Sequence, residues 1–261
     1  MWRAFGTVRL AVTPAVELEQ SGQGPVVLFL HGTPTTWDVL RPVAEAYGGR
    51  RLLAALPGYG RSPGWPAPTT ATAIAETIEK AVLDVGVRRL SVVGFSGGAY
   101  HALHLAVRGV LVVDNVVALG ALADLSAVER AGLRATAQAL RSGANLAGVA
   151  TARFLAPRFA QAHPAACARV EAWLEATTRH NLALELEALS EAPPLLAQLS
   201  TFHRRVLART GALDGASPPS HAQAIARACV HGVANIVDGC SHALLEEDLP
   251  GTLRAALSAL E

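Results

Sequence analysis

The chain has 261 residues, 51% of them hydrophobic, and its 22 basic residues nearly balance 21 acidic ones for a formal net charge of +1. With no block of like charge, it offers no electrostatic footprint for nucleic acid or anionic lipid, and a small uncharged or mixed ligand is the expected partner. No run of about 18 to 20 purely apolar residues occurs, and the start Met1-Trp2-Arg3 lacks the apolar core of a secretory leader, so the chain reads as cytoplasmic, with no integral membrane segment.

In chain order, Thr7, Arg9 and Ala11 alternate loosely with Val8, Leu10 and Val12, which predicts one or two antiparallel edge strands. Residues 20–25 carry turn chemistry, and Val26 to Leu30 is an unbroken apolar run suited to a central strand covered on both faces. Leu52 to Leu56 is a second such run, stopped by Pro57-Gly58-Tyr59-Gly60. From Ala71 to Gly86 a helix is expected, because Ile74, Ile78, Ala81, Val82 and Val85 share one face. Leu90 to Val93 forms a third buried strand, turning at Gly94 into a helix that begins near Gly98. The apolar stretch Val110 to Ala121 is longer than one strand needs, and Asp114-Asn115 suggests a break within it.

Residues 126–201 are helical in pattern, rich in Ala, Leu, Arg and Glu and punctuated by Gly143, Pro157, Pro164 and Pro193-Pro194. Strands resume at Val206 to Ala208 and Asn235 to Val237, and a helix closes the chain from Leu249 to Leu260. Alternating strand and helix implies an α/β fold: a mostly parallel central sheet with helices on both faces. The domain reading is a core of residues 1–125 and 202–261 with a helical cap, or lid, inserted at 126–201.

Gly94-Phe95-Ser96-Gly97-Gly98 matches G-x-S-x-G where a buried strand turns into a helix. Glycines there permit the strained turn that lifts the Ser96 hydroxyl clear, and the helix N-terminus favours developing negative charge. The bland alternative is a Gly-rich turn with a capping serine. A serine nucleophile needs a base and a group to orient it. His242 follows the last strand in a loop of small residues, Asp238-Gly239-Cys240-Ser241-His242. His101 and His104 lie inside the helix after Ser96 and should face away, while His163, His180 and His203 belong to the insertion or its exit. Asp214, just after the strand at 206–208, stands between nucleophile and base in chain order; Asp124 is the competing acid. Cys167, Cys229 and Cys240 are odd in number and widely spaced, as free thiols are.

With His31-Gly32-Thr33-Pro34-Thr35, Pro57-Gly58-Tyr59-Gly60-Arg61-Ser62, the elbow at Ser96, Asp214 and His242 in this order, the chain resembles the α/β-hydrolase family over nearly its whole length. The resemblance implies an α/β-hydrolase fold, an oxyanion hole from the backbone N–H groups of Thr33 and Gly97, a scaffold role for His31, and no metal or organic cofactor. The motifs near His31 and Gly58 look like those of epoxide hydrolases, haloalkane dehalogenases and small esterases. The first two use an aspartate where this chain has Ser96, so carboxylesterase-like cleavage of a small to medium hydrophobic substrate is expected instead. Where the family often has an aspartate before the Pro-Gly turn, this chain has Ala55, which puts the loop's geometry in question. Trp37, Phe95 and Tyr100 are candidate substrate-pocket walls, with core packing as the alternative, and Phe154 and Trp173 are weaker candidates. A C–C bond hydrolase and a non-catalytic ligand-binding relative remain the other readings.

Overall fold

A computed structural model describes residues 9–12, 16–65 and 69–261 of the chain. Thr7 and Val8 lie outside the described residues, but the alternation that continues from them forms β1 (Arg9–Val12) and β2 (Glu17–Ser21), paired antiparallel. Then follow β3 (Val26–Leu30), α1 (Arg41–Ala46), β4 (Arg50–Ala55), α2 (Ala71–Asp84), β5 (Arg89–Phe95), α3 (Gly97–Arg108) and β6 (Val112–Leu119). After β6 come six α-helices without an intervening strand: α4 (Ala127–Arg141), α5 (Ala147–Phe154), α6 (Pro157–Ala162), α7 (Pro164–Ala172), α8 (Arg179–Ser190) and α9 (Leu196–Leu199). The chain ends with β7 (Arg205–Gly211), α10 (Pro219–Ala228), β8 (His231–Val237), α11 (Leu244–Glu247) and α12 (Leu249–Leu260).

The described strands form one eight-stranded sheet in the order β1-β2-β4-β3-β5-β6-β7-β8. β2 is antiparallel to β4, and every pairing from β4 through β8 is parallel. Strand alternation explains how both faces are covered. Leu28 and Leu30, with Val92, Val116 and Ala118, pack with α2, α3 and α10, whereas Val27 and Phe29, with Val93, Val117 and Leu119, pack with α1 and α12. The unbroken apolar runs are therefore what a strand buried on both sides requires.

Strands run further than their apolar cores suggest, since polar ends such as Arg89, Arg205 and His231 are exposed at the sheet margin. The expected break at Asp114-Asn115 does not occur. Leu90 lies opposite Val113 and Val92 opposite Val116, so β6 absorbs an extra residue as a bulge and continues. Asp114 needs no loop because Arg89 grips its carboxylate through Nη2 at 2.7 Å and Nε at 2.8 Å.

The run of helices between β6 and β7 starts on a capping box: Ser126 Oγ accepts the Glu129 N–H, and the Glu129 carboxylate takes the Ser126 N–H. α4 and α8 then close a small core of Ala137, Leu140, Leu182 and Ala183. Among the described residues no helix is long and apolar enough to cross a membrane.

Candidate active site

β5 delivers Ser96 to the carboxyl end of the sheet, where ligand-binding loops of parallel sheets gather. Its backbone has φ 54° and ψ −121°, the only positive φ at a non-glycine among the described residues. Such a conformation costs on the order of 1–3 kcal/mol and persists only where neighbours enforce it. Here Ser96 N–H donates to Leu119 O at 2.8 Å, while Ala99 N–H donates to Ser96 O at 2.9 Å. Glycine is obligatory on both sides for steric reasons. A methyl group on Gly94 would overlap the Gly98 carbonyl, and one on Gly98 would overlap the carbonyls of Leu30 and His31.

The loop after β8 brings His242 back to this turn. Its Nε2 lies 2.9 Å from Ser96 Oγ, and its Nδ1 lies 2.8 Å from Asp214 Oδ2. A carboxylate only accepts, so Nδ1 carries the proton and Nε2 is left to accept from the serine hydroxyl. Both His242 and Asp214 are buried. Asp214 also accepts from the Ala216 and Ser217 N–H groups at 2.8 and 2.7 Å, and from Thr210 Oγ1 at 2.6 Å. Burial works to raise its carboxyl, but His242 and these hydrogen bonds outweigh it and hold the group below the usual aspartate value. The competing acid, Asp124, is engaged elsewhere: Oδ1 caps the start of α9 by accepting from Leu195 and Leu196 N–H at 2.6 and 3.0 Å.

Gly97 is the first residue of α3, so its N–H has no acceptor within the helix. Thr33 sits at the apex of a turn closed by Thr35 N–H to Gly32 O at 2.7 Å. The two backbones approach closely, since a methyl group on Gly97 would stand 2.7 Å from Thr33 Oγ1 and 3.6 Å from Thr33 N. His31 is locked by its tautomer: Nδ1 donates to Gly32 O at 3.0 Å and Nε2 accepts the Leu56 N–H at 2.9 Å. Burial pushes its pKa down to about 4.

The Pro57-Gly58 loop, which has no aspartate at position 55, is held from β2 instead. Glu17, buried on β2, accepts the Arg61 N–H at 2.8 Å and Arg61 Nε at 2.6 Å, and its own N–H donates to Ser62 Oγ at 2.8 Å. Tyr59 in the same loop donates its hydroxyl to Glu185 of α8 at 2.6 Å, tying α8 to the loop after β4. Burial raises the Glu185 carboxyl above its ordinary value.

Ser96, Gly97 and Thr33 open into a cavity of about 360 Å³ whose walls come largely from the helices between β6 and β7, including Leu133 and Leu140 of α4, Phe154 of α5, and Leu182 and Leu186 of α8. Of the three candidate pocket walls only Tyr100 lines it. Trp37 packs between the two hydrophobic cores instead. Phe95 is wholly buried, because the residue before the elbow points to the opposite sheet face from Gly94, and its ring meets Trp173 at 6.2 Å and His242 at 5.2 Å. Phe154 packs its ring 5.2 Å from His242 as well. The end of α5 is latched there, with Ala243 N–H donating to Phe154 O at 2.8 Å and Glu247 accepting both the Ala156 and the Ser241 N–H. A larger, open groove of about 1080 Å³ lies at the other ends of the strands, lined by Val26, Arg89 and Arg205, remote from the serine. No three His, Cys, Asp or Glu side chains among the described residues form a metal-holding group.

Comparison with known proteins agrees with this architecture. Residues 27–255 match the profile described as the alpha/beta hydrolase family. The fold superposes on a thermophilic esterase from Thermogutta terrifontis with a TM-score of 0.85 at 20% identity, covering 97% of each chain. It superposes on an enol-lactonase from Burkholderia xenovorans LB400 with a TM-score of 0.85 at 19% identity, covering 97% of this chain and 99% of the other. In sequence, 83 residues are 36% identical to epoxide hydrolase 3 of Siraitia grosvenorii, a match that spans 30% of this chain and only 26% of that protein.

Proposed function

The chain belongs to the alpha/beta hydrolase family, and from that premise we propose that it is a carboxylesterase-like serine hydrolase, cleaving an ester or related acyl bond of a small to medium hydrophobic substrate through an acyl-enzyme on Ser96. The observation that carries this reading is the buried row Asp214–His242–Ser96, with links of 2.8 and 2.9 Å, ending on a serine held at φ 54°. His242 takes the Ser96 proton as the oxygen attacks the substrate carbonyl, and Asp214 stabilises the resulting imidazolium. The N–H groups of Thr33 and Gly97 receive the oxyanion. The imidazolium then protonates the leaving group, and water activated by the same His242 releases the acid. A serine in the elbow argues against epoxide opening through an aspartyl ester, and the lactonase neighbour makes cyclic esters natural members of the substrate panel.

Residues 126–201 act in this reading as a cap over a core of 1–125 and 202–261, supported by the cavity walls that α4, α5 and α8 supply. The test is reaction with a fluorophosphonate probe and a series of p-nitrophenyl esters of increasing acyl length. Labelling and hydrolysis should vanish together in Ser96→Ala, with turnover falling by roughly three to six orders of magnitude. A wild-type protein that neither labels nor hydrolyses any of these esters overturns the proposal.

A further inference from the structure

The cavity beside Ser96 is walled mainly by leucine, alanine and valine side chains, yet one charged residue lines it, Arg153 near the end of α5. Most other arginines of residues 126–201 have a partner. Arg134, Arg141 and Arg169 pair with Glu191, Glu187 and Glu246, while Arg130 and Arg179 donate to backbone carbonyls. Among the described residues the Arg153 guanidinium has neither a hydrogen bond nor an ion pair; Arg158 shares that state but stands outside the cavity lining. Arg153 is held in place through its backbone: its carbonyl accepts Ser241 Oγ at 3.5 Å, and the next carbonyl, that of Phe154, accepts the Ala243 N–H. These contacts fall on both sides of His242.

We propose that Arg153 selects substrates carrying a carboxylate, so that the cavity takes half-esters or lactones of dicarboxylic acids, with the reacting carbonyl at Ser96 and the free carboxylate on Arg153. This rests on the serine-hydrolase reading above and adds the substrate class. The planar guanidinium matches a carboxylate through two parallel N–H donors. Because Arg153 is exposed, the ligand's charge reaches its partner without full burial, which avoids most of the desolvation cost of an interior ion pair. The intervening hydrocarbon packs on the leucines.

Two matched esters test this: mono(4-nitrophenyl) glutarate, which is anionic, and its neutral methyl ester. Wild type should favour the anion in kcat/KM. Arg153→Gln should lower the anion-to-neutral ratio of kcat/KM by roughly ten- to a hundredfold, mainly through KM on the anion. Arg153→Lys should recover part of the loss. Should Arg153 serve only the C-terminal end of α5, Arg153→Gln would lower stability with the anion-to-neutral ratio unchanged, and that result overturns the proposal. A calorimetric arm needs no turnover: in the Ser96→Ala background, monomethyl glutarate should bind more tightly than dimethyl glutarate, and only while Arg153 is present. Equal binding overturns the substrate class, whereas an inert wild type with Arg153-dependent binding counts against the serine reading alone.

Discussion

Replacing His101 with leucine should make the fold less sensitive to acid. His101 lies inside α3, one turn beyond Ser96, with no measurable exposure, and neither ring nitrogen has a hydrogen-bond partner among the described residues. Burial, reinforced by the neighbouring His104 and His31, pushes its pKa down to about 3, against 6.5 for a free histidine. The folded state therefore keeps the ring neutral, whereas the unfolded chain takes up a proton below pH 6.5. Stability contributed by the neutral ring is complete above 6.5 and is lost progressively as pH falls toward 3. Between pH 8 and pH 5 the unfolded ring crosses 1.5 units of that window, worth about 2 kcal/mol at 1.36 kcal/mol per unit. His101→Leu removes this term together with two unpartnered polar atoms, so its stability near pH 8 should match or exceed that of wild type. Urea unfolding of both proteins at a series of pH values between 5 and 8 measures the difference. Parallel stability-against-pH curves would show that His101 is not held neutral, and would refute the reasoning.

Asp214→Asn should leave the fold intact and lower ester turnover by about 10⁴-fold, because an amide able to donate would favour the wrong His242 tautomer; steady-state kinetics with circular dichroism as the folding control checks it. Gly98→Ala should abolish soluble folded protein, since the added methyl meets the Leu30 and His31 carbonyls. Gly132→Ala, in the middle of α4 with nothing within 4 Å of the added methyl, should instead stabilise by about 0.5–1 kcal/mol in chemical denaturation. Glu17→Ala should cost about 1–3 kcal/mol by leaving Arg61 and its loop unheld, read as a lower urea midpoint with an unchanged denaturant slope.

The elbow was legible in the sequence because glycine spacing and a preceding apolar strand are local signals, and backbone overlap at Gly94 and Gly98 shows the physical need behind them. Asp214 and His242 could be named from chain order, and the fold brings His242 within hydrogen-bond reach of both Asp214 and the serine. Strand ends were not legible, since Arg89 and His231 occupy exposed margins where the apolar pattern has already faded. The bulge at Asp114 depends on Arg89 lying across the sheet, a pairing that no linear pattern announces. Glu17 replaces the missing turn aspartate from 38 residues before position 55, so its role appears only once β2 is laid beside β4. Beyond Tyr100 and Phe154, the cavity walls were missed for a similar reason: only packing decides that Leu182, Leu186 and Leu189 of α8 meet the space beside Ser96 and that Trp37 does not.

The contact between Phe154 and His242 links two properties that protein engineering usually treats apart. Phe154 belongs to the segment that bounds the cavity, and any redesign of α5 to admit a larger acyl chain also repacks the imidazole that the reaction depends on. Changes aimed at substrate range should therefore surface as altered turnover even for substrates that never reach the new space. Selection acting on α5 therefore has little freedom, and α4 and α8, which border the same cavity without a ring against His242, are where substrate preference can drift at least cost to the chemistry.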